Sequence, residues 1–405
     1  MEKRRVVITG LGVISGIGKN TDEFWRAICE CQSGIAPIES LDRTQLRAQN
    51  GAEVKNYRAQ DYFEDKELDL LERFSQFGLI AAREAVADAE VEWTEEMQQK
   101  TCIVTASSIG GQDAHDKMFS DLYKDNRTRL HPLTIPRLMP NSGASNISME
   151  FGVTGPTFTV STACASGNHA IGNAFWMVRS GLTDMAIAGG SETPFSFGYI
   201  KAWEGLRVIS PDTCRPFSKD RRGMVLGEGG AMLVLETLES AKKRGAKIYA
   251  EIVGFAMSSD ASHITKPAQS SVERVMKLAL ADGEIAPEQI DYINAHGTGT
   301  QVNDSMETAA IRSVFGSHAD KLAVSATKSL HGHALSATSA IEAVATALAI
   351  ENGVLPPTGN FTEADPECNL DVVPNEAREK SINYAMSNAF AFGGLNAVLV
   401  LRRWE

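Results

Sequence analysis

The chain has 405 residues, of which 43% are hydrophobic and 22% charged, with a formal net charge of −12. This is the make-up of a water-soluble globular protein with enough apolar residues for a large core, in two or three domains or one two-part core. The acidic balance argues against nucleic acid as the main partner, and no apolar run reaches the roughly 18 residues that a membrane-spanning helix needs.

The start, Met1-Glu2-Lys3-Arg4-Arg5-Val6-Val7-Ile8, has too short an apolar part for a signal peptide and passes directly into a strand over Arg5 to Thr9. Six cysteines at 29, 31, 102, 164, 214 and 368 follow no framework spacing, which predicts a reducing, cytoplasmic setting. Cys29-Glu30-Cys31 has no second cysteine pair nearby and reads as two ordinary helix residues, not a metal site. After the first strand comes Gly10-Leu11-Gly12-Val13-Ile14-Ser15, an imperfect dinucleotide-binding loop whose third glycine is replaced by Ser15. Thr21 to Cys31 is predicted helical with Thr21 as N-cap. Leu70, Phe74, Phe77, Ala81, Ala85 and Ala89 recur at helical spacing. Ile103 to Ala106 is a predicted strand. Gln112 to Pro140, with three prolines, reads as an irregular excursion over the surface or over a site.

Pro156 to Thr162 is strand-like, and the stretch from Asn168 to Val178 is helix-like. Cys164 therefore sits on a strand-to-helix turn. Helix N-terminal N–H groups there are expected to lower the thiol pKa and favour a nucleophilic thiolate. The same position also suits a buried cysteine acting as a small hydrophobe. Further strands are predicted over Met185 to Ala188 and Ala231 to Leu235, with a charged loop from Ser210 to Gly230 between them. A second half begins near Lys247, with strands at Tyr249 to Phe255, Ile290 to Ile293 and Ala323 to Ala326. Helices are predicted at Val272 to Ala281 and Ala334 to Ile350. The helix after Cys164 and the one after Val324-Ser325-Ala326 are apolar nearly all round, so both are expected in the interior. Two related halves with central helices between sheets follow from that.

Asn294-Ala295-His296-Gly297-Thr298-Gly299-Thr300 leaves a strand end, where α/β proteins place chemistry. His296 reads equally as a core histidine. Thr327-Lys328-Ser329-Leu330-His331-Gly332-His333 has the same setting. Lys328 lies in an apolar region and calls for a carboxylate, with Glu307 and Asp304 as candidates; a solvated loop lysine is the other reading. His331 and His333 lack the companions of a metal site. The glycine loop Phe390-Ala391-Phe392-Gly393-Gly394 sits between two strands, either as a hairpin turn or as a source of an oxyanion-binding N–H.

Taken together, Cys164, His296, His333, Lys328 and the loop at Gly393 resemble the β-ketoacyl-[acyl-carrier-protein] synthases, specifically the elongating Cys-His-His type (synthase II). The resemblance runs over nearly the whole chain. The tracts at Asp212 to Ser218 and Asp371 to Asn375 are similar to the nodulation-protein E branch and to specialised polyene-type synthases of type II polyketide pathways. Thiolases are disfavoured because the C-terminal glycine loop has no cysteine. Initiating synthases are disfavoured because His333 stands where they carry asparagine.

The resemblance implies an α/β thiolase fold, with duplicated halves (1–246 and 247–405) in a five-layer α-β-α-β-α sandwich. It also implies decarboxylative condensation of a Cys164-bound acyl thioester with malonyl-carrier protein, releasing CO2, in fatty-acid or polyketide elongation. The backbone N–H groups of Cys164 and Phe392 would form the oxyanion site, with Phe392 also the gate. His296 and His333 would stabilise the enolate, and Lys328 would order the site, paired with Glu307. Thr298 and Thr300 would contact pantetheine, while Ile109 and Phe390 would bind substrate. Asp304 would be a supporting residue beside Glu307, and Arg207, then Lys201, would dock the carrier. No metal or organic cofactor is implied beyond the carrier's phosphopantetheine. The partners implied are the acyl carrier protein and a second subunit, identical or related to a chain-length factor, but not a membrane. Leu395 and Ala391 depart from the family loop, and His331 has no family role. A cysteine-dependent acyl hydrolase would leave Lys328 and one histidine unused. A non-catalytic partner subunit would lack the cysteine.

Overall fold

The computed structural model describes residues 3–405. β1 (Val6–Ser15) is buried along its whole length and runs through the glycines read as a dinucleotide loop. α1 (Thr21–Cys29) follows; its cap is Asn20, whose side chain accepts from the Glu23 N–H, and not Thr21. α2 (Arg73–Asp88) lies against β1. Gly10 and Gly12 exist for that contact. A Cβ on Gly12 would stand 2.0 Å from the Ala81 carbonyl oxygen, and one on Gly10 2.1 Å from that of Ala85. Gly10 and Gly12 thus seat a helix and do not form a phosphate loop.

The remaining elements fall into two series. β2 (Thr101–Ala106), β3 (Thr157–Val160), α3 (Ser166–Ser180), β4 (Met185–Glu192), α4 (Phe197–Leu206) and β5 (Gly229–Thr237) form the first. β6 (Ala250–Ser259), α5 (Gln269–Asp282), β7 (Tyr292–Asn294), α6 (Gln301–Phe315), β8 (Ala323–Ser325), α7 (Thr338–Asn352), β9 (Tyr384–Phe390) and β10 (Leu395–Arg403) form the second. The strand orders are β3-β2-β4-β5-β1 and β8-β7-β9-β10-β6. In the first series β2 is parallel to β3 and to β4, and β5 is antiparallel to β4 and to β1. The second repeats the same senses. The two are joined where β1 pairs with β6, Val6 to Ile252 through Ile8 to Ala250.

α3 and α7 each follow the third strand of a series, and they pack on one another between the two sets of strands. α7 is buried from Thr338 to Ile350. α3 approaches the second series so closely that a Cβ on Gly172 would lie 2.2 Å from the Phe255 ring. With α2 outside the first series and α5 outside the second, five layers result. This matches the architecture expected from the sequence, including the two interior helices.

The excursion after β2 is more regular than its prolines suggest. It contains helices at Gln112–Phe119 and Thr134–Leu138 and a π-helical turn at Ser120–Lys124. Pro136 is tolerated because it lies in a first helical turn, where an N–H has no partner to lose. Among the described residues, no helix is long and apolar enough to cross a membrane.

Candidate active site

The duplicated arrangement points the N-terminal ends of both central helices at one place. Cys164 precedes α3, on a turn where Ala163 takes a positive φ of 49°. His333 precedes α7, His296 leaves the end of β7, and Phe392 lies in the loop between β9 and β10. All four line one cavity of about 440 Å3. Its floor is buried, with Cys164 only 8% exposed, His296 4% and His333 1%.

His296 and His333 meet edge to face, ring centroids 5.9 Å apart. Burial first, then the Lys328 ammonium, holds both imidazoles well below their ordinary value, so both are neutral near pH 7. Their hydrogen bonds fix the tautomers. The Leu335 N–H donates to His333 Nδ1 at 3.1 Å, and the Thr338 hydroxyl lies 2.9 Å from it. Lys328 Nζ stands 3.5 Å from His296 Nδ1. A neutral ring whose Nδ1 accepts carries its proton on Nε2. His333 Nε2 is buried without a protein partner, an N–H left for whatever enters the cavity. In an NMR titration of ring nitrogens, both residues are expected to stay in the Nε2–H form as pH falls through about 6.5, the free imidazole value. A midpoint near that value for either ring would contradict this electrostatic picture.

Lys328 is fully buried, and its partner is Glu342 on α7, at 2.6 Å. The pairing expected from the sequence, with Glu307 or Asp304, is corrected here. Those two carboxylates hold backbone instead. Glu307 accepts from the N–H groups of His296 and Gly297, both at 2.9 Å, and Asp304 from those of Phe217 and Gly299. They shape the His296 loop, leaving Lys328 to reach the next layer. Lys328 Nζ also donates to the His296 carbonyl at 2.5 Å. Burial raises the Glu342 carboxyl, and the Lys328 ammonium opposes that shift.

The thiol departs from expectation as well. Burial pushes Cys164 up to about 11, outweighing the Lys328 charge and the main-chain N–H groups of Cys164 and Phe392, which pull it down. The resting group is a thiol. The Cys164 and Phe392 N–H groups thus act on the sulfur in the direction that favours its charged form.

Thr298 and Thr300 line the cavity, their hydroxyls 2.9 Å apart, and Phe390 lines it beside His296. Ile109 is not in the lining; it packs behind Phe392 in a cluster with Trp203 and Leu335. Arg207 lies at the exposed rim. Lys201 does not line the cavity, and its ammonium is engaged by Glu204 at 2.8 Å and the Gln45 carbonyl at 3.0 Å. Its expected place at the mouth is corrected. The rim adds Arg222, His263 and Lys266, three exposed residues that the sequence reading left out. His331 is a packing residue. Its Nδ1–H donates to the Gly332 carbonyl, and its Nε2 accepts from the Thr327 hydroxyl.

The description "Beta-ketoacyl synthase, N-terminal domain" matches residues 3–241, and "Beta-ketoacyl synthase, C-terminal domain" matches 249–362. A "Nodulation protein E" of Rhizobium sp. (strain N33) is 46% identical over 400 residues, 99% of each chain. A "3-oxoacyl-[acyl-carrier-protein] synthase 2" of Staphylococcus aureus (strain COL) is 41% identical over 411 residues, covering 100% of this chain and 99% of its own. Among solved structures, "The ishigamide ketosynthase/chain length factor" superposes with a TM-score of 0.95 at 37% identity, over 100% of both chains. A "type II PKS acyl-carrier protein in complex with its ketosynthase bound to the hexaketide" gives 0.90 at 32%, also over 100% of both.

Proposed function

This chain belongs to the β-ketoacyl synthase family and is a condensing acyltransferase of fatty-acid or polyketide elongation, and from that premise we propose how its residues divide the reaction. The observation that carries the division is one cavity holding the Cys164 sulfur, two N–H donors beside it and two neutral imidazoles that present Nε2–H. Cys164 attacks the thioester carbonyl of an acyl-carrier. The negative oxygen accepts from the N–H groups of Cys164 and Phe392. The pantetheine thiol leaves with the Cys164 proton, and the acyl group stays on sulfur.

Malonyl-carrier then loses CO2. The electron pair of the broken C–C bond moves into an enolate, whose oxygen accepts from Nε2–H of His296 and His333. The enolate carbon attacks the acyl carbonyl and expels the Cys164 thiolate, giving 3-oxoacyl-carrier, and the thiolate takes a proton from water to return to the resting thiol. Lys328 acts through His296 by keeping its Nδ1 an acceptor. Thr298 and Thr300 lie along the path of the pantetheine arm. No electron is gained or lost overall, so no redox cofactor is called for, and the substrates travel on the carrier's phosphopantetheine. The two topological repeats serve as functional halves, 1–246 bringing Cys164 and 247–405 bringing both histidines and Lys328.

The test is to incubate the protein with acyl-carrier and malonyl-carrier and read intact masses. An acyl adduct on Cys164 followed by 3-oxoacyl-carrier supports this division. Free acid with no condensed product would mean a hydrolase, and no adduct a non-catalytic partner.

The rim explains how a chain at −12 receives an acidic carrier, since Arg207, Arg222 and Lys266 make the mouth locally basic. Each exposed pair is worth about 0–1 kcal/mol. Arg207→Glu is therefore expected to raise KM for carrier-bound substrate by up to about fivefold and leave a short pantetheine thioester unaffected. Equal effects on both would remove Arg207 from docking.

The protein acts as a dimer with an identical or related second chain. Among the described residues β3 is an edge strand, paired with β2 on one side. Phe158 on it is 39% exposed, and Met149 and Ile135 are exposed too, surface that a lone chain would leave in water. Light scattering on the purified protein is expected to give twice the chain mass. An active monomer would refute the dimer, and a monomer made active only by a co-expressed related chain would identify the heterodimeric form.

A further inference from the structure

At the end of β4 lies a carboxylate that none of the steps above uses. Glu192 is fully buried. Burial pushes it up to about 7, and the offsets come from hydrogen bonds, not a cation. Its two oxygens collect four donors from two places. The Ser107 hydroxyl donates to Oε1 at 2.9 Å, the Ser108 N–H to Oε2 at 2.8 Å and the Ile109 N–H to Oε1 at 3.4 Å. From the other side the Ser336 hydroxyl donates to Oε2. Ser336 follows Leu335, whose N–H sets the tautomer of His333 and whose φ of 48° is held in the left-handed region. Such a conformation persists in a leucine only where its surroundings over-determine it.

We propose that Glu192 is a positioning residue that couples the Ser107–Gly110 loop behind the acyl pocket to the turn that fixes His333. The coupling rests on the reading of His333 as enolate donor and of Phe392 as the gate, against which Ile109 packs. Ile109, Phe392 and Leu335 share one apolar cluster, so a chain entering past Phe392 presses on the loop that carries Ile109. Two of that loop's N–H groups end on Glu192, and the same carboxylate holds Ser336 beside the Leu335 N–H. Occupation of the acyl pocket thereby reaches the Nδ1 acceptor of His333, and decarboxylation answers to the state of Cys164.

The measurement is malonyl-carrier decarboxylation by free enzyme and by enzyme acylated on Cys164. The wild type is expected to show a ratio of about fivefold or more between the two. Glu192→Gln keeps the volume but turns one acceptor into a donor facing donors, so its ratio is expected to fall to near one while short-chain acylation of Cys164 proceeds. Ser336→Ala cuts only the arm towards His333 and decides the matter should the glutamine variant fold poorly; its ratio is also expected to collapse. A residue that merely stabilises the fold would lower the melting temperature and leave the ratio untouched. A retained ratio in Ser336→Ala, or a wild-type ratio of one, overturns the coupling. His333→Ala is the control on the underlying reading: normal decarboxylation in that variant would overturn the role of His333 itself, whatever Glu192 does.

Discussion

Cys164→Ala is expected to lower condensation by roughly 10⁴-fold or more, as removal of a nucleophile does when the rest of the site cannot replace it. The melting temperature should barely move, because only one sulfur is lost from a position beside Ala163 and Ala165, at about 1 kcal/mol. Malonyl decarboxylation should survive in this variant, since His296 and His333 remain. Condensation within tenfold of wild type would remove Cys164 from the chemistry. Burial changes which reagent reports on this thiol. The sequence alone favours iodoacetamide labelling of Cys164 ahead of the other five cysteines. In the folded protein Cys29 and Cys31 are more accessible, and the Cys164 thiol is pushed up to about 11. An acyl thioester, delivered through the cavity, is the selective probe.

Lys328→Met is the second variant with a large expected effect. It leaves the Glu342 carboxyl without its cation in a fully buried site, which should destabilise the protein by about 3–5 kcal/mol. It also removes the donor facing His296 Nδ1. That ring can then carry its proton on the wrong nitrogen, and decarboxylation should fall by about 10²–10³. The double variant Lys328→Met/Glu342→Leu separates the two losses. Two apolar side chains in place of the ion pair should restore most of the stability, while His296 stays without its donor and decarboxylation stays low. Recovery of both together would reduce the lysine to a structural element. Thermal melting and a carbon dioxide release assay read the two quantities independently.

What could be read from the sequence depended on the distance over which each property is set. The loops of Cys164, His296 and His333 announce themselves locally, as strands that run into glycine-flanked turns before helices. The interior position of α3 and α7 follows from their nearly unbroken apolar runs. Other features needed the third dimension. Whether Gly10 and Gly12 receive a phosphate or a helix depends on α2, some seventy residues away. The thiol setting of Cys164 is a contest between a helix terminus, visible locally, and desolvation, which is not. The partner of Lys328 did leave a signal, because Glu342 is the sole charged residue between Thr338 and Ile350. A lone carboxylate on an otherwise apolar helix requires a cation. The helix at Thr134–Leu138 was hidden by Pro132, Pro136 and Pro140.

The placement of α7 also governs how the chain must be built. The first series of strands is synthesised well before residues 338–352, yet those residues cover its inner face. His333, from the second repeat, pairs with the segment of the first repeat just before β5, its N–H donating to the Val225 carbonyl at 2.7 Å and its own carbonyl accepting from the Gly227 N–H at 3.0 Å. An emerging chain therefore carries an apolar sheet covered by α3 but not yet by α7 through the synthesis of roughly a hundred further residues, and the interior cannot close until nearly the whole length is available. Such long-range closure is slow and exposes sticky surface meanwhile. On this topology the reactive constellation is assembled only when the second repeat docks on the first, because Cys164 and the two histidines come from different repeats.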